Sequence, residues 1–206
     1  LDDVLNGEFL RHHVPADARR LVDVAFSGNG EPTSAAEFEA AVVAVARILG
    51  LFGLKGSLPV RLITNGSLLH RSDVQNGIRH IAALGGEVWF KIDRALDAEV
   101  TEINGIPGNQ AKVLANLRSC VALAPTWVQT CWFRLDGMPP TAKSRNAYCA
   151  LLSEVADKLA GVHLYGLARP SQQLAAPRLS AISPDELSAF GQQIEKETGI
   201  RVIVSP

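Results

Sequence analysis

From about residue 20 to its end, the sequence alternates short apolar runs with segments of helical periodicity, and glycine, asparagine and proline punctuate the turns between them. That is the pattern of βα units laid around a parallel sheet, since parallel neighbours can be joined only by a crossover segment, usually a helix. Strands are predicted over residues 21–26, 60–64, 87–93, 127–135, 162–167 and 200–204. Helices are predicted over 38–49, 72–84, from the loop at 105–109 to about 123, over 141–159, and from Ser183 to Gly199. The count is five or six βα units in a single α/β domain spanning 1–206, with 1–20 a linker and 170–177 a polar connection.

Local signals sharpen several boundaries. Ser34 with Glu37 has the spacing of a capping box, and Gly50 should stop the helix that follows. Ser183, Pro184 and Glu186 supply cap, first-turn proline and third-position glutamate to the last helix. In the strand 87–93, Val88, Phe90 and Ile92 alternate with Trp89, Lys91 and Asp93, so two charged groups project from one face and require a polar cavity or each other. Trp89, Trp127 and Trp132 read as core, His163 and Tyr165 as a satisfied interior pair, and His12 and His13 as surface groups. The 20 basic and 21 acidic side chains leave a net charge of −1, which gives no general field for a nucleic acid or an anionic membrane. No long apolar run or signal-peptide layout occurs, so a cytoplasmic chain is expected. Cys120, Cys131 and Cys149 form no metal or disulfide spacing and read as buried or half-buried thiols.

In parallel α/β folds ligands gather at the carboxyl ends of the strands, where turns and helix starts present free amides. The first such turn, Gly28-Asn29-Gly30-Glu31, offers two permissive glycines and a carboxylate. A dinucleotide fingerprint needs glycine at position 33, where Thr33 stands. Ser27-Gly28-Asn29-Gly30-Glu31-Pro32-Thr33 after a strand resembles the Gly-Gly-Glu-Pro element of radical S-adenosylmethionine (SAM) enzymes, in the form found in an iron–sulfur oxidoreductase, wyosine-synthesis-like branch. Ile63-Thr64-Asn65-Gly66-Ser67, Phe90-Lys91-Ile92-Asp93 and the segment 165–170 are similar to later barrel-strand ends of that family.

The resemblance implies a partial (β/α)6 barrel. It implies a SAM pocket in which Gly28, Asn29, Gly30 and Glu31 bind the amino group, and Thr64, Asn65, Lys91, Asp93 and, less directly, Gln129 touch the ribose and carboxylate. It also implies a 4Fe-4S cluster held by a Cys-x-x-x-Cys-x-x-Cys loop, an electron donor such as flavodoxin or ferredoxin, and a 5′-deoxyadenosyl radical acting on an unknown substrate. The three cysteines present do not match that loop, so the reading expects the first barrel strand and cluster loop to lie outside this chain, leaving it inactive alone. The strand 21–26 should then form an exposed edge that invites dimer contact. Two alternatives stand beside this one: a barrel lyase or isomerase using Lys91 with Asp93 or Glu31, and a cluster-less SAM-binding or interaction domain.

Overall fold

A computed structural model describes residues 2–28, 30–167 and 175–205. Six strands form one parallel sheet: β1 (Val24–Phe26), β2 (Val60–Thr64), β3 (Glu87–Lys91), β4 (Thr126–Cys131), β6 (Gly161–Tyr165) and β8 (Val202–Ser205). Their spatial order, β1-β2-β3-β4-β6-β8, follows the chain. The connecting helices are α3 (Phe38–Leu51), α4 (Ser72–Ala83), α5 (Asp97–Asn104), α6 (Gln110–Val121), α7 (Ala142–Ser153) and α8 (Pro184–Thr198). The helices α1 (Asp2–Asn6) and α2 (Phe9–His13) precede the sheet and bury no residue, and His12 and His13 are exposed as expected. The segment read as a linker therefore holds two short helical turns.

Strand alternation sets the layering. Val60, Leu62, Val88, Phe90, Val128, Val162 and Leu164 are buried with Val42, Ile78, Ile81, Leu117, Leu152 and Ile194 of the helices. The intervening residues Arg61, Trp89, Gln129 and His163 occupy the other face and are half-buried. The α/β class and the parallel sheet agree with the reading of the sequence, and β1 stands at one sheet edge as expected.

Several boundaries differ, each for a tertiary reason. The first strand is confined to three residues, and Val22, within the run 21–26 predicted as strand, lies outside it and is 59% exposed. Ser34 makes no capping box with Glu37, because it closes a 3-10 turn (Pro32–Ser34) and donates its hydroxyl to the Glu31 carbonyl at 2.7 Å. The helix it was to cap runs past Gly50 to Leu51. The run 127–135 is two strands. After Cys131 the chain leaves the parallel sheet, the Trp132 amide donates to the Tyr165 carbonyl at 2.8 Å, and β5 (Phe133–Leu135) pairs antiparallel with β7 (Leu179–Ala181). That second strand falls just beyond the connection expected at 170–177, of which residues 170–174 lie outside the described residues. The helix expected over 141–159 ends at Ser153, and a 3-10 turn at Ala156–Lys158 follows. The last helix carries the expected capping box, with Ser183 and Glu186 bonded reciprocally.

Candidate functional site

The turn after β1 is organised by one carboxylate. Gly28 and Gly30 adopt φ of +141° and +143°, angles that side-chain-bearing residues rarely reach. Glu31 then accepts four hydrogen bonds: at Oε1 from the Thr33 amide (3.2 Å) and from the hydroxyls of Thr33 (2.7 Å) and Thr64 (2.6 Å), and at Oε2 from the Asn65 amide (2.7 Å). Thr33 and Thr64 are buried, so Glu31 ties the first turn to the end of β2 from inside. The Thr64 hydroxyl also accepts from the Gly66 amide at 3.0 Å. Gly66, at φ +70°, lies against the Phe90 ring, where a Cβ would collide, and its carbonyl accepts from Asn116 at 2.9 Å. Only glycine satisfies both the angle and the approach.

At the end of β3, Lys91 and Asp93 pair loosely, Nζ to Oδ2 at 4.0 Å, with 40% and 28% of their side chains exposed. The other Asp93 oxygen accepts from the Cys131 amide at 2.8 Å, which joins the ends of β3 and β4. Below them lies Arg94, 8% exposed, donating to the carbonyls of Asp93 (2.7 Å) and Phe133 (2.9 Å). Its guanidinium sits 4.4 Å from the ring centres of Trp132 and of Phe133. Burial lowers its pKa, against the opposing pull of Asp93 and Glu99. Among the residues that reading the sequence did not single out, Arg94 has the strongest hold on this region.

A cavity of about 640 Å³ opens at these strand ends. Gly28, Gly30, Glu31, Thr64, Asn65, Lys91 and Asp93 all line it, as do Ile63, Ser67 and Arg94. Asn29 lies outside the described residues, as do Ala168, Arg169 and Pro170. Gln129 is in register with Lys91 but is not part of the cavity lining. Lys91 lacks the apolar burial that activates a Schiff-base lysine, since it stands partly in solvent beside a carboxylate. The far wall comes from α5 and the start of α6. No element had been expected between Asp93 and Gly105; α5 buries no residue fully and so leaves little periodic signal.

At the amino-terminal ends of the same strands the open face is closed by a separate network. Arg61 pairs with Asp23 and, at 2.8 Å, with Glu87, and Trp89 donates to Glu87 at 2.9 Å. Burial raises the Glu87 carboxyl, but these hydrogen bonds outweigh it and hold the group below its ordinary range. The His163 ring lies 4.4 Å from those of Trp89 and Trp127, and burial lowers its pKa. Trp132 is core, whereas Trp89 and Trp127 are half-buried on this face and not in the core predicted for them.

The thiols take no part in the cavity lining. Cys120 and Cys149 are buried and Cys131 is half-buried. Burial pushes Cys120 up to about 11 and, with help from nearby carboxylates, Cys131 and Cys149 up to about 12. Among the described residues no group of three or more histidine, cysteine or acidic side chains could hold a metal ion, so a 4Fe-4S cluster does not fit these side chains. The native protein should therefore release almost no colour from Ellman's reagent at about pH 8, where an ordinary thiol is appreciably ionised. All three thiols should react once it is unfolded in guanidinium. A rapid native equivalent would contradict the assigned burial.

No family model matches the sequence, and no curated protein matches it. Solved structures do. A domain of pyruvate-formate lyase-activating enzyme from Bacteroides vulgatus ATCC 8482 superimposes with a TM-score of 0.59 at 15% identity, over 90% of this chain and 99% of that one. A radical SAM methyltransferase from Sphaerobacter thermophilus gives a TM-score of 0.59 at 17% identity, over 92% of this chain and 52% of that one. The chain shares the fold of both and spans about half the length of the methyltransferase. No described helix is long and apolar enough to cross a membrane.

Proposed function

We propose that the cavity at the ends of β1, β2 and β3 binds S-adenosylmethionine, and that the chain is the SAM-holding part of a radical SAM enzyme. One observation carries this reading. Seven residues singled out from separate motifs, Gly28, Gly30, Glu31, Thr64, Asn65, Lys91 and Asp93, line one cavity in a fold shared with a radical SAM methyltransferase. The chemistry of the lining suits the ligand. Glu31 Oε2 receives a single hydrogen bond and retains acceptor capacity for an ammonium group. Gly28 and Gly30 allow close backbone approach, Lys91 supplies a cation for a carboxylate, and Asp93 and Asn65 can meet ribose hydroxyls.

Bound SAM supplies an activated carbon–sulfur bond, and this chain's residues bind and orient it. The 4Fe-4S cluster has no ligand set among the described residues, so no part of the described site is assigned to it. An electron donor of the flavodoxin or ferredoxin kind, a dimer contact along the β1 edge and a cytoplasmic location belong to the same proposal, as does kinship with the wyosine-synthesis-like branch.

Calorimetry with SAM tests the reading. Heat of binding is expected for the native chain. The exposed-lysine variant Lys91→Met should bind about tenfold more weakly, the scale of one charge-assisted hydrogen bond. Absence of heat with the native chain would end the SAM assignment.

A further inference from the structure

The cavity has a second half that the SAM assignment leaves unused. Val100 and Ile103 come from α5, Ile106 and Pro107 from the following loop, and Lys112 and Val113 from α6. Five of these six are apolar, Ile106 is 63% exposed, and three asparagines, Asn104, Asn109 and Asn116, complete this wall. Its exposure is built in. The Gly108 amide donates to the Thr101 hydroxyl at 2.9 Å, the Gln110 amide donates to Asp97 at 2.7 Å, and any Cβ at position 108 would strike the Asp97 backbone. A loop fixed this way holds an isoleucine and a proline at the cavity mouth, where their apolar surface gains nothing until something covers it.

The charges in the cavity are unevenly matched. Glu31 meets four donors, and Asp93 meets the Cys131 amide and, loosely, Lys91. Arg94 lies beneath and spends its hydrogen bonds on two carbonyls. Lys112 is exposed and has no carboxylate within ion-pair distance among the described residues. The second half thus presents an unpartnered ammonium beside aliphatic surface.

We propose that this half is the substrate subsite and takes a small amphiphilic anion, its aliphatic body against Ile103, Ile106 and Val113 and its anionic group at Lys112. Its designation as the substrate side rests on the reading that the glycine-turn half holds SAM. The anion site itself stands on the cavity lining alone.

The test is a methyl NMR titration of isoleucine-labelled protein with hexanoate and with its neutral analogue hexanamide, with SAM binding followed by calorimetry on the same samples. Hexanoate should shift the Ile103 and Ile106 methyl signals, identified through Ile103→Val and Ile106→Val, and should bind about fivefold more tightly than hexanamide, the range of a partly exposed charge pair. Lys112→Ala should abolish that preference while leaving hexanamide and SAM binding unchanged. Equal affinity for the two probes, an undiminished preference in Lys112→Ala, or unmoved methyl signals would overturn the proposal. If SAM gives no heat while hexanoate still shifts the methyls, the SAM reading fails and the anion site survives. If SAM binds and the methyls stay still, the subsite alone fails.

Discussion

Glu31→Ala should lose about 3 kcal/mol of folding stability together with SAM binding, the scale of stranding buried donors that had bonded to a carboxylate. The four bonds to Glu31 join two separate pieces of chain: the turn after β1, and the end of β2 with the residue that follows it. Removing the carboxylate leaves the hydroxyls of Thr33 and Thr64 facing each other's empty partner at 0% and 1% exposure. Only water entering from the cavity could replace it there. Glu31→Gln separates the contributions. Its carbonyl can keep the Oε1 contacts, but its amide nitrogen then meets the Asn65 amide donor-to-donor, so about 1 kcal/mol should be lost. Urea unfolding of the three proteins measures both effects. A Glu31→Ala protein as stable as the native one would reduce Glu31 to a surface group and remove the basis for the site.

Trp132→Ala should cost about 4 kcal/mol, in the range for a large aromatic truncated in a packed core. Trp132 is 1% exposed, stacks on Phe190 at 4.2 Å, meets Tyr148 at 5.9 Å, and covers one face of the Arg94 guanidinium. Its loss is felt in two places. The α7–α8 side of the core gains a cavity, and Arg94, whose hydrogen bond steadies the Asp93 backbone, loses an aromatic wall. Weakened ligand binding should therefore accompany the drop in melting temperature. Trp132→Phe should restore most of the stability, because a ring still fills the space beside Arg94. If Trp132→Ala melted within a few degrees of the native protein, the packing assigned to this region would be wrong.

Much of the layout could be read from residue order. The strand at Val60–Thr64 matches its expected limits because Pro59 and the Asn65-Gly66 turn bracket an alternating run. The last helix starts where its cap sits, since a capping box is a local interaction. The features that local sequence does not encode depend on distant partners. Nothing near position 131 announces that the chain leaves the sheet, for the pairing that draws it away is with residues 179–181. Arg94 reads as one more charge beside Asp93, and the rings that bury it lie at 132 and 133. Glu31 was legible as a carboxylate among amides. That one of its partners would be Thr64, 33 residues on, was not. Trp89 and Trp127 show the converse error: large rings on strands suggest core, but their alternation phase puts them on the open face.

The chain-order arrangement of the parallel sheet bears on how the protein comes into being. Each strand lies beside the one made just before it, so every pairing closes a loop of modest length and none must wait for a remote segment to be synthesised. Assembly can keep pace with a ribosome, growing from the β1 edge toward β8. The β5–β7 pair closes a loop that contains β6, and it can form only once residues 179–181 have been made, late in the chain. The region of Arg94 and Asp93 should therefore be among the last to acquire its final shape, and a stalled or truncated product would carry the glycine turn without the support beneath the rest of the site.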